Sequence, residues 1–63
     1  MAEPDRYAIQ RADTRWYGGG LEQGDPRWVT RSREAVNWED IQDARAALKR
    51  LRAKGHRVFL LTI

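Results

Sequence analysis

Cysteine is absent from this chain, and with it go disulfides, zinc–thiolate sites and thiol chemistry. Histidine occurs once, as His56. A single imidazole builds a metal site only with carboxylates at ligand spacing, and the sequence offers no such arrangement. Long apolar runs are missing too. The longest, Val58 to Ile63, is strand-sized and well short of the roughly 18 residues a membrane span needs. The first five residues, Met1-Ala2-Glu3-Pro4-Asp5, are acidic, whereas a secretion signal needs a basic start and an apolar stretch. These absences predict a cytoplasmic protein with no metal, no cofactor and no membrane segment.

With 63 residues the chain is long enough for one domain spanning residues 1–63, with residues 1–5 expected as a disordered tail. A domain of this size buries only about 60% of its unfolded surface, so its stability margin is thin. The formal net charge is +3, but its distribution says more. From Met1 to Asn37 arginines and acids balance at six each. Between Arg45 and Arg57 there are six cations and no acid. Ten of the twelve basic residues are arginine. A GC-rich genome produces that bias without function, and the planar guanidinium also suits carboxylate and phosphate contacts.

The alternation of Arg6-Tyr7-Ala8-Ile9-Gln10-Arg11 predicts a half-buried strand, with Tyr7 and Ile9 on one side. Ala12-Asp13-Thr14 is a polar turn in which Asp13 can bond the backbone two residues on. Arg15-Trp16-Tyr17 completes a hairpin, ended by three consecutive glycines. Residues 21–26 read as loop, Arg27 to Arg31 as a third strand, and Ser32 to Val36 as irregular extended chain leading to a helix. Ile41, Ala44, Leu48 and Leu51 form one apolar helical stripe. Acids open that helix, cations close it, and Gly55 is its expected stop. Asn37 and Asp40 compete as its N-cap. His56 to Ile63 finishes as a strand, apolar on both faces after Arg57 as an interior strand would be. With no second helix to cover its far face, that face falls to the hairpin aromatics or to another subunit. The expected fold is α+β, order ββ(β)αβ, with one helix on one face of a small antiparallel sheet.

Catalytic groups are sparse. Thr14, Thr30, Ser32 and Thr62 are the hydroxyl candidates, and only His56 could act as their base. Its place just past the helix end suits a capping or surface role. Asp40 and Asp43 lie one turn apart, but acids are expected at a helix start on electrostatic grounds. The run Gly18 to Gly24 lacks the Gly-Lys-Ser/Thr ending of a phosphate loop and opens no helix. The chain is therefore expected to be no enzyme.

Binding residues are easier to find. Tyr7, Trp16, Tyr17 and Trp28 are interleaved with Arg6, Arg11, Arg15, Arg27 and Arg31. Sheets that present aromatics and arginines stack bases and hold phosphates, although a small core also needs large side chains. Trp16 and Tyr17 must face opposite ways, so one of them points outward. Arg45, Lys49 and Arg52 share a helix face beside the apolar stripe. That row is either a solvated face or a docking site for phosphate or an acidic protein. The candidate partner-binding residues are Arg45, Lys49, Arg52, Arg15, Trp16 and Glu22, the last in the loop after the glycines.

Trp28, Ala35, Trp38, Ala44 and Leu48, following the Tyr7/Ile9 strand and a glycine-rich hairpin, form a spacing that resembles small phage- and prophage-encoded ββαβ accessory proteins. Some of those are anti-CRISPR proteins. The resemblance covers Tyr7 to Ile63, rests on packing residues and carries over no functional site. It implies a stoichiometric inhibitor of a host macromolecular machine, most sharply a CRISPR effector, acting in the host cytoplasm. Many such inhibitors are acidic and imitate DNA; a chain at +3 departs from that pattern. The alternatives are a nucleic-acid-binding module and a structural homodimer.

Overall fold

Strand β1 (Tyr7–Arg11) is the centre of a five-stranded antiparallel sheet in a computed structural model that describes residues 6–63. The expected tail at residues 1–5 lies outside the described residues. One edge of β1 is paired along its whole length with β5 (Val58–Thr62). The other edge is shared: β2 (Trp16–Tyr17) pairs at Gln10, and β4 (Asn37–Trp38) pairs at Tyr7 and Ala8. Strand β3 (Trp28–Val29) extends the sheet beyond β2. Helix α1 (Ile41–Ala53) covers one face. The class is α+β, as the sequence predicts.

Pairing fixes the two faces, because side chains alternate along each strand. On the helix side stand Ile9, Val58, Leu60, Tyr17, Trp28 and Trp38, packed with Leu21, Leu48 and Leu51 in one cluster. Ile9, Leu51 and Val58 are its largest fully buried side chains. Tyr17 organises the aromatics around it. Its ring stacks on Trp38 at 6.0 Å, meets Trp28 edge-on at 6.2 Å, and its hydroxyl accepts the Leu21 N–H at 3.1 Å. Tyr17 is thus the inward residue of its pair, and Trp16 the outward one.

Local chemistry accounts for the ends of these elements. Arg15 N–H donates to the Asp13 carboxylate at 3.3 Å, closing the expected turn, with Thr14 between them at φ 75°. That is a three-residue hairpin loop whose last position is left-handed. Asp40, not Asn37, caps α1, accepting the Gln42 N–H at 2.8 Å. Gly55 stops it at φ 93°, with Gly55 N–H bonded to the Arg52 carbonyl and His56 N–H to that of Leu51.

Two expectations are corrected. Ser32 to Val36 does not run as irregular chain straight to the helix: a 3₁₀ turn at Ser32–Glu34 leads into β4, held where Val36 N–H donates to the Tyr17 carbonyl and Arg6 donates to the Asn37 amide oxygen at 2.8 Å. Asn37 is consequently a strand residue and unavailable as a cap. The C-terminal strand is an edge rather than an interior strand. Among the described residues β5 pairs with β1 alone, and Phe59 is 51% exposed. The interior strand is β1, where Ala8 and Ile9 are fully buried on opposite faces.

Candidate binding surface

Arg52 sets the position of the cationic row. Its guanidinium donates from Nη2 to the Val58 carbonyl at 3.1 Å, so this flank of α1 hangs over β5. Lys49 and Arg45, about one and two turns back on the same side, are exposed along the same line. The opposite flank looks elsewhere. Arg50 and Ala47 line an open cleft of about 300 Å³ with Val36, Trp38 and the loop Gly19–Gln23.

The six proposed site residues therefore fall into three places. Arg45, Lys49 and Arg52 stand together at the β5 side of the helix. Arg15 and Trp16 lie on β2 and its approach, with Trp16 half-buried on the sheet face away from the helix. Glu22 lies on the rim of the cleft, across the molecule from the row. It is the only acid of the set, and it does not join the cationic surface.

Charge around the row is unbalanced. Among the described residues the ion pairs are Arg6–Glu39 and Arg11–Asp13, and neither involves a cation from Arg45 to Arg57. The Asp13 carboxyl is held down at about 2, chiefly by hydrogen bonds from Arg11 and also by the Arg15 N–H, against a smaller opposing effect of desolvation. Arg11 in turn lies 4.6 Å above the Trp28 ring. Both pairs are thus taken up within the fold.

The far face of the sheet sets Trp16, a candidate from the sequence, beside three residues that are not among the candidates. Phe59, Gln10, Trp16 and Val29 are successive register partners across β5, β1, β2 and β3. Two strand spacings put Phe59 about 10 Å from Trp16. Arg57 and Arg52 border a shallow depression beside Phe59. The sequence already leaves this face without a helix, since one helix covers one face of a sheet and β5 is apolar on both sides.

Among the described residues no three of His, Asp and Glu lie close enough to hold a metal ion. His56 is half-buried with its ring 5.3 Å from that of Trp28, serving the cap through its backbone and the core through its side chain. Among the described residues no helix is long and apolar enough to cross a membrane. No family model matches this chain, and no curated protein or solved structure matches it.

Proposed function

We propose that this protein is a non-catalytic binding module that docks an anionic surface on the flank of α1 formed by Arg45, Lys49 and Arg52. The observation that carries the reading is electrostatic. Among the described residues no acid lies within salt-bridge distance of a cation from Arg45 to Arg57, and the acids that open α1, Asp40 and Asp43, make no ion pair with the row. Unpaired arginines at a surface raise the local concentration of anionic partners and speed encounter with them.

An acidic patch on a host protein or ribonucleoprotein complex is the leading partner, and stoichiometric inhibition the leading consequence. The mobile-element resemblance makes a CRISPR effector the sharpest version of that target. A plasmid-interference assay tests it: restored transformation in cells expressing the protein supports the inhibitor, and full interference with every effector type rejects it.

A second reading has its own observation. The row Phe59–Gln10–Trp16–Val29, bordered by Arg57, offers π-faces beside a cation, as surfaces that bind single-stranded nucleic acid do. Anisotropy of labelled DNA and RNA at two salt concentrations separates the two readings. Nucleic acid predicts binding that weakens steeply with salt, by roughly one log–log unit for each phosphate contact.

A further inference from the structure

Among the described residues, the backbone of β5 meets a strand on one side alone. Arg6 and Ile63 exchange N–H···O bonds at 3.4 and 2.8 Å, and Ala12 N–H donates to the Arg57 carbonyl at 3.0 Å. Bonded and non-bonded pairs alternate in an antiparallel ladder. Phe59 and Leu61 accordingly turn their backbone groups toward β1, while Val58, Leu60 and Thr62 turn theirs outward. Among the described residues no strand meets that side. Among the described residues only the Val58 carbonyl is taken, by Arg52.

Edges are usually blunted by proline, by a charge within the strand or by a bulge. Val58-Phe59-Leu60-Leu61-Thr62 contains none of these, and its five residues are all paired in register with β1. The charges lie beside the edge instead. From Arg45 to Arg52 the helix rises about 10 Å, close to the roughly 13 Å that β5 spans from Val58 to Thr62. On the other face the edge is apolar, with Phe59 and Ile63 each about half exposed.

We propose that the open edge of β5 accepts an extended acidic peptide segment of a partner protein as a sixth strand. The inference rests on the anionic-partner reading above and gives that partner a form. A strand added here meets outward N–H and C=O groups in alternation, and only another polypeptide supplies both donors and acceptors at that repeat. Phosphates accept without donating and would leave the N–H groups of β5 served but its carbonyls bare. A second copy of this chain, pairing β5 with β5 about a twofold axis, would set its own Arg45, Lys49 and Arg52 against the same three cations. In an acidic strand, carboxylates on the helix side face that row, and apolar residues on the other side cover Phe59.

The test uses a fluorescein-labelled ten-residue peptide alternating glutamate and valine, titrated with the full chain at low salt and followed by anisotropy. Two further peptides carry N-methyl groups, one on every glutamate nitrogen and one on every valine nitrogen. In antiparallel addition the glutamates stand opposite Val58, Leu60 and Thr62, so their N–H groups face β5. The parent and the valine-methylated peptide are expected to bind, and the glutamate-methylated one to bind at least about tenfold more weakly, as loss of several backbone hydrogen bonds requires. Equal binding of all three would overturn the edge proposal while leaving the anionic-partner reading standing. Binding of a single-stranded oligonucleotide but of no peptide would overturn it in favour of the nucleic-acid reading. A sedimentation mass of two chains with no peptide uptake would overturn it in favour of self-pairing. Absence of all binding at low salt would remove both readings.

Discussion

Arg52 and Val58 join the two halves of the proposed surface: the side chain of one, on α1, donates at 3.1 Å to the outward carbonyl of the other, on β5. Through that contact the cationic helix flank and the open strand edge become one continuous region. Substituting Arg45 and Lys49 together with glutamate leaves this bond in place and reverses the charge beside it. Both residues are exposed, so folding stability should change by no more than about 0.5 kcal/mol in a urea titration.

Thr14 sits at φ 75° in the β1–β2 hairpin, a conformation that a β-branched residue adopts under strain. Thr14→Gly should stabilise the domain by about 1 kcal/mol, the usual cost of the left-handed region less the entropy glycine brings. In a domain this small, 1 kcal/mol raises Tm by about 4–8 °C, which calorimetry resolves.

Gly20 has the reverse requirement. At φ 89° a Cβ would also come within 2.3 Å of the Asp25 carbonyl oxygen. Gly20→Ala should therefore force the loop open and destabilise the fold by more than about 1 kcal/mol. Gly24→Ala is the matched control: at φ 79° it carries similar backbone strain, but a Cβ there meets nothing within 4 Å. Equal losses in the two variants would contradict the steric account.

Tyr17→Phe removes the acceptor for the Leu21 N–H while keeping the ring stack on Trp38. An N–H left buried without a partner costs about 1–3 kcal/mol, against a near-neutral result if water replaces the hydroxyl. Denaturant midpoints with unchanged m-values would measure it.

Asp13 gives the hairpin a pH dependence with a definite sign. Its carboxyl titrates near 2 in the fold, below the ordinary 3.8, so the unfolded chain takes up the proton first. The stability it contributes is complete above about pH 4 and is lost as pH falls through about 2. Asp13→Asn should flatten the stability profile across that acid limb and leave it unchanged near neutrality in shape.

What the residues disclosed follows a physical division. The Ile41, Ala44, Leu48 and Leu51 stripe and the Gly55 stop marked α1 because helices are made by contacts a few residues apart. Asp13 marked its turn for the same reason. Strand β4 has only Asn37 and Trp38, too few to show a period, and it is held by partners as distant as Arg6 and Tyr17. Likewise an apolar β5 showed how much it could bury and not where it stood, since edge position depends on which strands β1 recruits. Of the candidate site, the cationic row was legible as one helix face. Its union with β5 was not, because it depends on the Arg52 bond to Val58, and Glu22 was grouped with residues on the opposite side of the molecule.

The most direct measurement compares the wild-type chain with the Arg45→Glu, Lys49→Glu double variant. Each would be titrated against the labelled glutamate–valine peptide at low and near-physiological salt. The account predicts saturable binding by the wild type that weakens with salt, and a loss of at least about tenfold in the variant, the effect expected when attraction becomes repulsion at a docking site. Equal affinity of the two proteins, with both folded, would contradict the claim that this flank of α1 receives the partner.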